Sequence, residues 1–168
     1  MAKATKRAIA GVLTLSLLGM FIVLGGGVVS AASEQDTHTV TFNVKAAIQL
    51  NVPETTYDFG DVDPINSPYT ATGAVNPWVR CNTNWTLNVR GSGDFASGSN
   101  TVPLSRLGWR YGGGSYTAMT TSDAQVRTGT KTGGAGVSTA VDYQLTVDWD
   151  DDVADGYSAT ITYTAVTP

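Results

Sequence analysis

Carboxylates are the side chains of this 168-residue chain whose type and spacing could do chemistry. Five of them cluster near the C-terminus, and carboxylate oxygens are the ligands that Ca²⁺ prefers. The segment lacks a closing glutamate, and Val153 stands where a calcium loop needs glycine for its sharp turn. A solvated acidic turn is therefore the competing interpretation. The candidate calcium ligands are Asp148, Asp150, Asp152 and Asp155.

Nucleophilic and acid–base catalysis lack their usual partners in this chain. His38 is the single histidine and Cys81 the single cysteine. Cys81 falls on the same face of a strand-like run as Val75 and Val79, which favours a buried, inert thiol. No nucleophile–base set can be named, so the sequence predicts a protein that is not an enzyme.

The N-terminal segment has the organisation of a secretory signal. Lys3, Lys6 and Arg7 precede an uncharged stretch over 8–24, and small side chains follow at Val29-Ser30-Ala31-Ala32. This pattern predicts a signal peptide over residues 1–32, cleaved to leave one domain over residues 33–168 outside the cell or at its surface. An uncleaved membrane anchor is the alternative, because the apolar run is long enough to span a bilayer.

The charge of the remaining chain bears on its partners. The whole chain has a formal net charge of −4, and removal of Lys3, Lys6 and Arg7 lowers it to about −7. Such a surface repels phosphates, so nucleic acid is not an expected partner.

Alternation of apolar and polar residues predicts an all-β domain. Apolar residues take every second position from Val40 to Val52, which predicts a half-buried strand or two strands sharing one alternation. A final antiparallel hairpin is predicted over 141–149 and 157–165. Seven or so short strands predict a two-layer antiparallel β-sandwich, Ig-like or jelly-roll-like. Other strands are predicted at 57–60, 75–81, 85–89, 102–111 and 124–127.

Tryptophans in such strands usually fill the core, as we expect of Trp85 and Trp149. Trp78 has the opposite parity to Val75 and Val79 and is a candidate for exposure. Exposed aromatic side chains, together with the Gly-rich stretch 112–136, could instead hold a glycan. Asn84-Trp85-Thr86 matches a glycosylation acceptor.

The start of the long alternation could also serve assembly. Val40, Phe42 and Val44 lie next to the predicted cleavage site, where a strand could leave its own domain and complete the sheet of a neighbour. An ordinary first strand within the same domain is the competing interpretation.

Several short motifs resemble, in order, the landmarks of WxL-type surface domains. These are secreted β-sandwiches that attach to the cell wall of Gram-positive bacteria. Trp85-Thr86-Leu87 matches the first WxL motif, with Trp85 and Leu87 as its defining residues, whereas Tyr163-Thr164-Ala165 stands at the second. The matching segments are 48–53, 57–60, 84–89 and 157–163.

A second resemblance is to spore-coat-U and archaic pilin domains, through Phe59-Gly60 and Val79-Arg80-Cys81. Those domains are Ig-like and assemble by strand donation. They usually pair this cysteine with one in the first strand, where this chain has Ala46 and Ala47. The resemblance implies a pilus or filament subunit that forms a homopolymer, and the alternative is a wall-associated adhesin that binds a glycan or a partner protein.

Overall fold

The computed structural model describes residues 33–168, so the predicted signal peptide lies outside the described residues. The chain divides into two units, Met1–Thr41 and Phe42–Pro168. Residues 33–41 of the first unit are exposed and carry no regular secondary structure. No helix within 33–168 is long and apolar enough to cross a membrane.

The second unit is built from strands. It contains one short 3₁₀ helix, Leu104–Arg106, between the sixth and seventh strands. The strands are β1 (Ile48–Asn51), β2 (Tyr69–Val75), β3 (Trp78–Cys81), β4 (Trp85–Gly91), β5 (Phe95–Ser97), β6 (Asn100–Val102), β7 (Leu107–Tyr111), β8 (Thr117–Ala118), β9 (Ala124–Gly129), β10 (Val137–Ser138), β11 (Val141–Leu145) and β12 (Ile161–Val166).

Two antiparallel sheets, one of three strands and one of four, are joined by short connections between β2 and β3 and between β10 and β11. β2 and β3 follow each other with only Asn76 and Pro77 between them, and β10 and β11 run antiparallel to them. Pro77 has no N–H to donate, which explains the break in the ladder, but its carbonyl accepts a hydrogen bond from the Thr139 amide at 2.9 Å. β1 pairs with β3, which gives the strand order β1-β3-β10, and β7 pairs with β11 and β8, which gives the order β2-β11-β7-β8.

A third sheet has the order β12-β4-β9, and all its pairings are antiparallel. A small β5–β6 hairpin follows β4. Apolar side chains from these three sheets form one core, in which Leu87, Val89, Val79 and Val141 are fully buried. Cys81 is a buried free thiol within it. The predicted all-β class is confirmed: several antiparallel sheets pack together, consistent with a β-sandwich.

The long strand predicted from Val40 to Val52 is wrong over most of its length. Only Ile48–Asn51 is a strand, and residues 40–47 are exposed. The reason lies in the partner, because β3 ends at Cys81, directly opposite Ile48, and the chain then turns towards β4. The short strand predicted over 57–60 is also absent from the fold.

The predicted terminal hairpin is also wrong. β11 pairs with β2 and β7, whereas β12 pairs with β4 in a different sheet. The residues between them cross from one sheet to the other, so the alternation after Leu145 has no sheet to face. Trp149, expected in the core, is consequently 75% exposed.

Asp142 links its own strand, β11, to the neighbouring strands β2 and β7. Its carboxylate accepts hydrogen bonds from the Gly73 amide at 2.8 Å and from Nε of Arg110 at 2.9 Å. Gly73 has a φ of 61°, and the register between β2 and β11 shifts beside it, so the carboxylate secures a bulge. These two donors hold the pKa of Asp142 below the ordinary aspartate value.

We expect Asp142→Asn to lower the free energy of unfolding by about 1–3 kcal/mol near pH 7. Because the folded-state pKa is depressed, this contribution is present above the ordinary pKa of 3.8 and is lost as the pH falls below it. Urea denaturation of both proteins near pH 7 and at about pH 3 should therefore show a difference that narrows in acid. Asp123→Asn, at an exposed ion pair with Arg90, is the matched control and should change little. An equal loss at both pH values would contradict the role given to the carboxylate.

Candidate functional site

The predicted donor residues are exposed. Val40, Phe42 and Val44 are 75%, 82% and 77% accessible, and polar Thr41 and Asn43 alternate with them. Apolar surface of this kind is unfavourable in water, and an extended segment can bury every second side chain by joining a sheet. The segment therefore has the alternating apolar side chains of a sheet strand, but these side chains are exposed and the segment pairs with no strand among the described residues.

Asn82 fixes the point at which this segment meets the domain. Its amide nitrogen Nδ2 donates to the Lys45 carbonyl, and its Oδ1 accepts from the Ala47 amide, both at 2.8 Å. The Asn82 backbone amide also donates to the Ala47 carbonyl at 3.3 Å. These bonds continue the β1–β3 ladder by one pair, so the chain enters β1 in an extended conformation.

Two strand edges lie open near each other. Among the described residues, β1 pairs only with β3 and β12 pairs only with β4. β1 and β12 approach each other without forming a ladder. Unpaired backbone groups on such an edge can accept another strand.

Apolar side chains along this pair of edges are only half covered. Those that pack against the core without being fully buried include Ile48 and Leu50 of β1 and Ile161 and Ala165 of β12. We call these four residues, with the free edge of β12, the β1–β12 seam. Interior positions of a sandwich are normally covered on all sides, so the seam has apolar surface that one more strand could cover.

Tyr143 of β11 and Tyr163 of β12 form a buried pair. The hydroxyls of Tyr143 and Tyr163 are 2.9 Å apart, so one donates to the other, and both residues are buried. Burial raises the pKa of each phenol, which keeps both neutral. Their hydroxyls satisfy each other in the core and take no part in the open edge.

Arg106 forms ion pairs within the acidic segment that contains the predicted calcium ligands. Arg106 lies between Asp148 and Asp151, at 3.1 and 3.4 Å from their carboxylate oxygens. Its guanidinium and the Trp149 amide hold the pKa of Asp148 low. Over residues 33–168, no three acidic, histidine or cysteine side chains converge as metal ligands, so Asp148, Asp150, Asp152 and Asp155 are not brought together. The positive charge beside Asp148 and Asp151 in this structure is the guanidinium of Arg106.

The WxL-like residues lie in the core. Trp85 is 2% exposed, and its indole Nε1 donates to the Thr130 carbonyl at 2.9 Å. Leu87 is fully buried between the sheets. The prediction that Trp85 fills the core is therefore confirmed. Trp78, the tryptophan of opposite parity, is half-buried and donates to the Ala135 carbonyl at 3.1 Å.

Sequence reasoning missed the two residues that organise these features, Asn82 and Arg106. The turn composition around Asn82 was visible, but its bonds to Lys45 and Ala47 join positions 37 and 35 residues apart. Neither a family model nor a curated protein matches this chain.

Proposed function

We propose that this chain is a secreted, cell-surface structural subunit that forms a homopolymer by β-strand addition. Residues 33–44 act as the donor strand, and Val40, Phe42 and Val44 cover the β1–β12 seam of the next copy. The observation that carries the proposal is the coexistence of an exposed apolar alternation with an open sheet edge whose inner side chains are half-buried.

The energetics favour such an exchange. Full burial of a valine or phenylalanine side chain contributes roughly 1.5–3 kcal/mol, and three of them are exposed here. Main-chain hydrogen bonds to the free edge of β12 add affinity, and the alternate side chains give register. The gain offsets the cost of ordering the segment.

The connection at Asn82 favours insertion into another molecule. Because Lys45 and Ala47 are held in line with β1, the donor segment leaves the domain beyond the start of that strand. A return to the seam of the same copy would require a reversal of the chain before Lys45, within the donor segment itself. Such a reversal would use up residues that the added strand needs.

The point variants Phe42→Asp and Asn43→Asp test this function with nearly identical chemistry. The full chain, expressed in a secreting host, should form filaments in negative-stain electron microscopy. Phe42→Asp places a charge on the inward face of the donor and should abolish them, since a buried unpaired charge is costly. Asn43→Asp adds the same charge on the outward face and should leave filaments intact.

Filaments that persist in Phe42→Asp would refute strand donation by this segment. Soluble monomers from the unmodified chain that sediment with isolated cell walls would favour a wall-associated adhesin domain instead. Circular dichroism of each variant shows whether the domain itself remains folded.

A further inference from the structure

The domain is electrically polar along its strands. At one end β1 begins and β3 and β9 finish, and the Thr132 amide donates to the Cys81 carbonyl there. At the other end β11 finishes and β7 and β12 begin, and the Thr146 amide donates to the Arg106 carbonyl. We call these the basic end and the acidic end for the charges described next.

The basic end carries cations without a carboxylate partner. Arg80 and Lys131 are exposed and form no ion pair within residues 33–168. They line an open depression of about 420 Å³, whose lining also includes the small or apolar residues Ala47, Ile48 and Gly133. By contrast, Arg90, Arg106 and Arg110 each lie against an aspartate elsewhere in the domain.

The acidic end presents a large apolar side chain on a fixed turn. Trp149 is 75% exposed, and its neighbour Asp148 is held by Arg106 and by Asp151, whose carboxylate accepts from the Asp148 amide at 2.7 Å. Asp150, within that turn, and Asp152, directly after it, are exposed. Arg106 pairs with the inner carboxylates, so the outer two keep their charge for a partner.

We propose that the two ends bind each other between copies: Trp149 of one copy enters the depression of the next, with Asp150 and Asp152 facing Arg80 and Lys131. This proposal rests on the proposed function, because it supplies the end-to-end contact between neighbouring subunits of the filament. An aromatic anchor in a concave site, surrounded by opposite charges, is the usual arrangement of an interface hot spot. The second copy is the favoured occupant because the two surfaces carry opposite charges.

The contact also selects a direction for strand addition. The donor segment leaves its own domain at the basic end, beside Lys45. Val44, the last donor residue, therefore lies at the end of the next copy that contacts this basic end. If the donor runs antiparallel to β12, this is the acidic end, where β12 begins. A parallel donor would place two basic ends together, which like charges oppose.

Reciprocal charge reversal tests the contact. One variant carries Arg80→Glu and Lys131→Glu, and the other carries Asp150→Lys and Asp152→Lys. Each variant alone has like charges at both ends, so its rate of filament growth at low salt, followed by light scattering, should fall about tenfold or more. An equimolar mixture should recover growth, because each end then meets its complement. The mixture is its own control, since neither protein changes when the two are combined.

The outcomes separate this inference from the proposed function. Filament growth unchanged by both reversals and by Trp149→Ala would overturn the end-to-end contact and leave strand addition standing. If the unmodified chain forms no filaments, strand addition fails, and sedimentation velocity at low salt then tests the contact alone. Self-association lost in each variant and restored in the mixture supports it, whereas none in any sample overturns it.

Discussion

A chain whose donor segment is moved from its N-terminal position to follow β12 is expected to be a monomer of increased stability. The variant lacks residues 33–44 at their own place and carries them after Pro168, joined by a short Gly- and Asn-containing turn. The added strand then returns antiparallel along the free edge of β12 and covers the β1–β12 seam from within the same molecule. Polymerisation is lost because both the donor and the open edge are used up internally.

The expected gain is large because it combines apolar burial with a sheet ladder. Val40, Phe42 and Val44 would pass from more than 70% exposed to largely buried; this burial and the new main-chain hydrogen bonds together contribute roughly 3–5 kcal/mol after the cost of ordering the strand. For a domain of this size we expect the midpoint of thermal unfolding to rise by roughly 10 °C or more. The reference is the chain that lacks 33–44 and receives nothing in exchange.

The control is the same relocated segment with the Phe42→Asp change. It keeps the length, the turn and the backbone donors, but it places a carboxylate against the core. Calorimetry should show no stabilisation for this control, and size-exclusion chromatography should show whether each protein is monomeric. A relocated wild-type segment that raises neither the midpoint nor the monomer fraction would mean that the seam does not accept this strand.

Local alternation predicted well where a strand has neighbours on both sides. Trp85, Leu87 and Val89 alternate in the sequence, and β4 lies between β12 and β9 with all three side chains buried. The buried position of Cys81 follows from the same rule within β3. In such strands the inward face is decided by period alone, because a shift of one residue would expose the whole apolar set.

Alternation failed where the partner strand is missing. The residues around Val40 and the stretch around Trp149 alternate as clearly as β4, yet both are exposed. An alternating pattern states only that a segment can be half-buried; it does not say which strand lies beside it or in which molecule. The mistaken hairpin has the same origin, since nothing local indicates that β11 and β12 belong to different sheets.

The candidate sites depended on long-range pairing that no local pattern carries. Arg106 is 42 residues from Asp148, and its approach turns an apparent metal-binding cluster into an ion-paired turn. Asn82 likewise holds Lys45 and Ala47, from which it is separated along the chain by three strands. The sequence shows that one segment is acidic and the other turn-like, but the contacts of Arg106 and Asn82 are visible only in the folded structure.

Replacement of Trp85 by alanine is expected to cost about 3–5 kcal/mol in the free energy of unfolding, the usual loss for a large aromatic removed from a core. The indole is 2% exposed, donates to the Thr130 carbonyl, and lies so close to Gly129 that a Cβ there would clash with the ring. Trp85→Phe retains most of the apolar contact and should cost clearly less. Trp149→Ala, at an exposed position, is the matched control and should leave the free energy of unfolding almost unchanged.

These three variants also separate a structural tryptophan from a ligand-binding one. Unfolding in urea, followed by far-ultraviolet circular dichroism because the tryptophan signal itself changes, gives the stability of each protein. Cell-wall sedimentation is then measured at a temperature where all of them remain folded. If Trp85 acts through the core, Trp85→Ala loses stability and leaves wall sedimentation as it was. If the Trp85→Ala protein is folded but no longer sediments with cell walls, the motif is a binding element. If Trp85→Ala lowers the free energy of unfolding only slightly, the core does not depend on this tryptophan.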